Sequence, residues 1–189
     1  MDEAATMSRV IELTGQVVDR IEPDQLDNPS PCDEWTVRDL LNHITSGASM
    51  FAICVRDGSI SDEQMGALMT GDNLGDDYRG AFRDASAAAM DAFGAEGAVD
   101  RMVTLPFGTM PAGVALNIAV FDVSIHTWDL ARATDQSMEL DIETLETAYA
   151  LAQAMIPDMR TNGVVAAEVE ISADAPLEDR LAALAGRTP

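Results

Sequence analysis

The sequence contains no lysine, so that all eleven of its basic residues are arginine, and they stand against 33 acidic residues. The formal net charge is therefore −22 over 189 residues. A surface with this excess of negative charge repels phosphate backbones and anionic lipids. We therefore expect neither nucleic acids nor membrane surfaces as partners.

Long apolar runs are also missing, because none approaches the ~20 residues that a helix needs to span a bilayer. The first residues, MDEAATMSRV, are acidic where a secretory signal would be basic. We therefore expect a cytoplasmic protein. Cysteine is scarce as well: Cys32 and Cys54 are too few for a disulfide framework, and both are expected to be reduced thiols.

What the chain does have is 47% apolar residues, enough for a core, and we expect one domain over residues 1–189. Apolar positions recur at helical spacing and predict long helices over residues 4–21, 37–57, 78–93, 112–134 and 142–159, and a short one over 176–185. Residues 99–105 and 164–171 are β-prone and predict two short strands that could pair. Residues 59–77 are predicted to be an irregular connection with one short helical turn. The fold class is therefore mainly α, an antiparallel four-helix bundle with one or two short strands.

The helix over residues 112–134 carries a polar pair on an apolar face. On a helical wheel, Asp122 and His126 share a stripe that is otherwise formed by small and aliphatic residues. Burying a carboxylate there is costly unless it is paired or bound to a cation. The four-residue spacing stacks the two side chains one turn apart, which is how one helix donates two ligands to one metal ion.

The second histidine of the chain, His43, lies at the edge of the apolar stripe of the helix over residues 37–57, one turn before Gly47. Two histidines and one carboxylate could then converge. Such a set leaves open positions for water or substrate, as catalytic metal sites do, and it suits Zn²⁺ best, with Fe²⁺, Ni²⁺ and Mn²⁺ as alternatives. An Asp-x-x-x-His pair is also common on helices that bind no metal.

Other candidates have an ordinary interpretation beside the functional one. Cys32 precedes a helix N-terminus and could be an activated thiolate, although a buried loop cysteine is the favoured interpretation. Cys54 is expected to pack in its helix. Trp35 and Trp128 could line a pocket or anchor the core. Asp129 and Arg132, three residues apart, could orient a ligand, although an ion pair along the helix is the favoured interpretation.

Three segments together resemble a known family: PCDEWTVRDLLNHI at residues 31–44, DVSIHTWDLARATDQ at 122–136 and the closing GRTP at 186–189. They are similar to the DinB-like metal-binding bundles, and most closely to the N-terminal domain of mycothiol-dependent maleylpyruvate isomerase and its short single-domain relatives. The resemblance runs from about Leu13 to the end. It implies a four-helix bundle with a divalent metal held by His43, Asp122 and His126, the trio reached above from burial arguments.

The chain departs from the family pattern in two ways. Asp122 stands where the family usually has glutamate, so this shorter side chain must bring the helix closer, coordinate through water, or not coordinate. The resemblance does not extend to the C-terminal extension of the two-domain isomerases, and we therefore do not expect maleylpyruvate isomerisation itself to carry over.

The resemblance implies mycothiol or bacillithiol as a cosubstrate, and Zn²⁺ is soft enough to bind a thiolate. Our leading hypothesis is a metal-dependent S-transferase or isomerase-like enzyme in which this thiol attacks a small electrophile. Trp35, Trp128 and Arg132 are candidates for the substrate pocket, since an anionic electrophile would need a local donor. A metal-dependent hydrolase and a non-catalytic binding module with a degenerate metal site are the alternatives, and a homodimer is plausible.

Overall fold

The computed structural model describes residues 3–32 and 35–189. Within them, seven α-helices and one two-stranded sheet follow one another along the chain. In order, these are α1 (Glu3–Arg20), α2 (Val37–Asp57), α3 (Asp62–Thr70), α4 (Tyr78–Gly94), β1 (Met102–Leu105), β2 (Gly108–Pro111), α5 (Ala112–Ala133), α6 (Ile142–Thr161) and α7 (Leu177–Leu184).

Helices α1, α2, α4 and α5 form the predicted antiparallel four-helix bundle, in which α2 packs on α4 and α1 on α5. Helix α6 packs against α5 and α1, and α7 packs against α6 and α5. The helix α5 is consequently surrounded, and fifteen of its 22 residues are buried. This explains why its sequence is apolar on nearly every side. The predicted fold class is confirmed.

A capping box fixes the start of α2. Thr36 is the N-cap residue, and its Oγ1 accepts a hydrogen bond from the Asp39 backbone N–H at 3.2 Å. The Asp39 carboxylate accepts in return from the Thr36 N–H at 2.9 Å. This capping box satisfies two backbone donors that a helix start leaves free, and it places His43 two turns into α2.

The prediction for residues 59–77 was wrong in part, because α3 (Asp62–Thr70) is a helix of nine residues rather than a single turn. Its signal is local: Ser61 and Gln64 form a capping box. None of the residues of α3 is buried, so the helix lacks the apolar periodicity that would have indicated it in the sequence.

The predicted pairing of residues 99–105 with 164–171 was also wrong. Strand β1 pairs with the adjacent β2 in an antiparallel hairpin, with Leu105 opposite Gly108 and Met102 opposite Pro111. Residues 164–171 form no strand. Closing a two-residue loop costs far less chain entropy than closing one of about sixty residues, which favours the local partner.

None of the helices in the described ranges combines the length and the apolar character needed to cross a bilayer.

Candidate metal centre

The two histidines and Asp122 meet at the junction of α2 and α5. The Asp122 Oδ1 atom lies 3.5 Å from the Nε2 atom of His43 and 3.5 Å from that of His126. The two imidazole rings are 4.8 Å apart between centroids and nearly perpendicular, at 79°. The structure therefore brings together the three residues that spacing indicated.

This donor set fits a divalent ion. The three ligand atoms all lie within 4.8 Å of one another, and two imidazoles with one carboxylate are ligands typical of an open catalytic site. Two such atoms, each about 2.1 Å from a tetrahedral ion, would be about 3.4 Å apart. The observed separation of 3.5 Å between Asp122 Oδ1 and each histidine Nε2 matches this value, so the shorter Asp122 side chain reaches both histidines.

The charges of the trio support one another. Burial raises the pKa of Asp122, but the neighbouring His126 and His43 lower it more, and the carboxylate remains ionised. Burial lowers the pKa of His43, whereas its hydrogen bond to Asp122 and the charge of that carboxylate raise it, and the net direction is upward from 6.5. In the metal-free protein, the ionised Asp122 carboxylate is thus the negative charge that faces both histidines.

A second set of contacts lies on the other side of His126. Its Nδ1 atom is 2.9 Å from Oδ2 of Asp129, which is fully buried. Arg187 from the C-terminal tail donates to both carboxylate oxygens, from Nε to Oδ1 at 3.2 Å and from Nη2 to Oδ2 at 2.9 Å. The Cys32 thiol donates to the same Oδ2 at 3.2 Å.

Cys32 is a neutral thiol in this setting. Burial and the charge of Asp129 raise the pKa of Cys32 to about 12, outweighing the opposite effect of Arg187. This agrees with the interpretation of Cys32 as a loop cysteine rather than an activated thiolate. Cys54 is fully buried in the core, as expected.

The expected ion pair between Asp129 and Arg132 was wrong. Asp129 points into the protein and pairs with Arg187, whereas the guanidinium of Arg132 lies over the Trp128 ring, 5.2 Å from its centroid. The indole N–H of Trp128 donates to Asp179 at 3.1 Å. Asp129 pairs with Arg187, 58 residues away, rather than with Arg132 on the same helix, because the contact with Arg187 is bidentate and removed from water.

A cavity of about 450 Å³ opens onto the trio. Trp35 forms part of its wall, with its ring 5.0 Å from that of His43. Much of the rest is apolar and comes from α5, α6 and the segment after α6, namely Phe121, Ile125, Met159, Val164, Val165 and Ala166. Trp128 and Arg132 are not among the described residues that line this cavity.

The sequence did not indicate Arg187 as part of this cluster, and it did not predict the contact of Asp129 with His126. The three-residue spacing of His126 and Asp129 on one helix was the available signal for their contact. Arg187 stood inside the closing GRTP motif, but nothing local indicated which carboxylate it would meet.

Comparison with known proteins identifies the family of the chain. The family model described as the mycothiol maleylpyruvate isomerase N-terminal domain matches residues 8–131. The uncharacterized protein Rv0738 of Mycobacterium tuberculosis (strain ATCC 25618 / H37Rv) is 32% identical over 194 residues, covering 100% of this chain and 99% of its own length. Its counterpart MT0763 in strain CDC 1551 / Oshkosh matches equally.

Solved structures with the same fold include two of the mycothiol-dependent maleylpyruvate isomerase. A point mutant of that enzyme has a TM-score of 0.69 at 17% identity, and another crystal structure has 0.66 at 18%, each covering 88% of this chain and 72% of the isomerase chain. The chain therefore belongs to the family of the mycothiol maleylpyruvate isomerase N-terminal domain, and the resemblance inferred from its motifs is confirmed.

Proposed function

We propose that this protein is a metal-dependent enzyme that uses a low-molecular-weight thiol, such as mycothiol, against a small electrophile. The observation that carries the proposal is the Asp122 carboxylate placed 3.5 Å from two histidine Nε2 atoms at the edge of an open cavity. His43, Asp122 and His126 would hold the ion, with Zn²⁺ as the proposed metal. Membership in a family named for a mycothiol-dependent isomerase supports the choice of thiol.

The chemistry supplied by a divalent ion in this position is a lowered pKa for a thiol that would otherwise be mostly protonated near neutral pH. The protein's own residues do the rest. The two histidines would offer nitrogen lone pairs to the ion and Asp122 would contribute the negative charge, while the Trp35 ring lies 5.0 Å from that of His43 and would form the wall beside it. The apolar wall around Phe121 and Ile125 would exclude water and accept the carbon skeleton of the electrophile.

The cavity gives a narrower proposal for the substrate-contacting residues than the sequence did. Trp35 lines it, and we keep Trp35 as a contact of the thiol or the electrophile. Trp128 donates to Asp179 of α7 and Arg132 lies over the Trp128 ring, and we leave both out of the proposed pocket because they do not border the cavity.

Elemental analysis of untagged protein tests the metal centre first. Wild type is compared with a His43→Ala, His126→Ala double variant and with Asp84→Asn, which removes an exposed carboxylate on α4 and controls for metal adsorbed by the acidic surface. We expect about one divalent ion per chain in wild type and Asp84→Asn, and none in the double variant. Absence of metal from all three after incubation with excess Zn²⁺ would overturn the proposal.

The thiol is tested on the Co²⁺-substituted protein. Addition of mycothiol should change the visible spectrum of the ion, because a sulfur ligand adds a charge-transfer band that water does not. A spectrum unchanged by mycothiol, together with turnover of ester or amide substrates, would instead favour a hydrolase. An unchanged spectrum with neither activity would favour a binding module.

A further inference from the structure

We propose that Asp129 is a positioning residue that holds His126 in the tautomer whose unprotonated Nε2 faces the metal centre, and that Arg187 and Cys32 hold Asp129 in place. The inference deepens the proposed function and rests on it only in taking a metal ion as the group that Nε2 binds. The geometry that carries it lies outside the trio, on the far side of the His126 ring.

Arg187 compensates the charge of the buried Asp129 carboxylate. This side chain has no exposed surface, and a buried carboxylate needs compensation for the loss of water. Arg187 supplies it through two hydrogen bonds, of 2.9 and 3.2 Å, one to each oxygen. A carboxylate that receives a bidentate guanidinium is ionised and can only accept hydrogen bonds.

The contact with Asp129 decides which nitrogen of the His126 imidazole carries the proton. Since Asp129 can only accept, the 2.9 Å contact between its Oδ2 and the Nδ1 atom of His126 requires the proton on Nδ1. A neutral imidazole carries one N–H, so Nε2 then has a free lone pair. That atom is the one that faces Asp122 and His43. The opposite tautomer would place a nitrogen lone pair 2.9 Å from the Asp129 oxygen, whereas the Nδ1–H form places one at the longer distance of 3.5 Å from the Asp122 oxygen, so the closer carboxylate decides the tautomer.

Cys32 and Arg187 keep Asp129 in position. Cys32, in the segment before α2, donates to Oδ2 and accepts from Arg187 Nη2 at 3.1 Å. Arg187 reaches the site because the chain turns sharply after α7 at Gly186, which has φ +85°. A Cβ atom at Gly186 would lie 2.7 Å from the Cβ of Ala166, so the turn needs glycine. Three segments distant in sequence thus converge on one carboxylate.

Cys32, His126 and Asp129 by themselves are also residue types that can bind a metal. Arg187 argues against this use, because its Nη2 atom is within 3.1 Å of the Cys32 sulfur and 2.9 Å of the Asp129 oxygen. The positively charged Arg187 guanidinium therefore already binds both of these ligand atoms. The cluster is better suited to orienting a ligand of one metal ion than to binding a second ion.

The test reads the tautomer directly in metal-free protein. With two histidines in the chain, ¹⁵N-detected imidazole spectra at about pH 8, above the usual histidine pKa, are assigned by a His43→Ala variant. We expect His126 to be protonated at Nδ1 in wild type. In Asp129→Asn, whose amide can also donate, we expect the Nε2–H form to become populated. Asp179→Asn, the same charge change on α7, should leave the tautomer unchanged.

Metal affinity is the second readout. Loss of an outer partner of a histidine ligand lowers metal affinity by about 10- to 100-fold, which we expect for Asp129→Asn with Zn²⁺ in a chelator competition and not for Asp179→Asn. If Asp129→Asn does not fold, Arg187→Gln, at a partly exposed position, is measured instead and should loosen the tautomer in the same direction.

The outcomes separate this inference from the proposed function. The positioning role would be overturned by an Nε2–H tautomer in wild type, by an unchanged tautomer in Asp129→Asn (or in Arg187→Gln where it replaces that variant), or by two ions per chain. Failure of wild type to bind Zn²⁺ with the Nδ1–H tautomer intact would overturn the proposed function and leave the orientation of His126 by Asp129 standing.

Discussion

Replacing Arg187 with methionine should destabilise the metal-free protein far more than its position near the C-terminus suggests. Methionine keeps much of the apolar volume but removes the charge that compensates Asp129. The Asp129 side chain is 0% exposed and that of Arg187 is 16% exposed. Removing one partner of a buried ion pair costs about 3–5 kcal/mol. Since His126 and Cys32 still donate to Asp129, we expect the lower end, about 3 kcal/mol.

For a chain of this length, each kcal/mol corresponds to about 2–4 °C in Tm, so Arg187→Met should melt about 6–12 °C below wild type. The assay is thermal and urea unfolding in the presence of a chelator, so that metal binding does not contribute. The matched control is Arg38→Met. Its ion pair with Asp72 is as short, at 2.8 Å, but the side chains are 37% and 57% exposed, and we expect a loss below about 1 kcal/mol.

A double variant with Asp129→Leu added to Arg187→Met separates the pair from the rest of the site. Removing both charges should recover part of the lost stability, because the uncompensated carboxylate is gone. Equal, small effects of Arg187→Met and Arg38→Met would refute the reasoning, since burial would then not decide the strength of the pair.

Two further predictions concern the trio and the tail. In metal-free protein the pKa of His43 lies above 6.5, so the stability contributed by its pairing with Asp122 should be full below about pH 6.5 and be lost as the pH rises through the folded-state pKa. An NMR titration should show this pKa falling below 6.5 in Asp122→Asn, where burial alone remains, and no fall would contradict the assignment. Gly186→Ala should lower the unfolding free energy by at least about 1–2 kcal/mol, the cost of a left-handed backbone for alanine, and urea unfolding that matches wild type would show that the tail adapts.

Much of the fold was predictable because its signals are local. The apolar period of α1, α2, α4 and α6 and the Thr36 capping box are properties of neighbouring residues. The length of the helix α3 was not predicted because none of its residues is buried, so its sequence has no apolar period. Residues 164–171 have β-prone composition, yet form no strand because β1 already had a neighbour two residues away.

The sequence by itself determined that Asp122 and His126 share one face of a buried helix, since a spacing of four residues places side chains one turn apart in any α-helix. Tertiary structure alone decided the rest of the centre. His43 reaches Asp122 only because α2 packs beside α5, and Asp129 finds Arg187 across 58 residues rather than Arg132 three residues away. Helical periodicity follows from the backbone. The partner of a buried charge depends instead on which distant segment brings an opposite charge to a position that water does not reach.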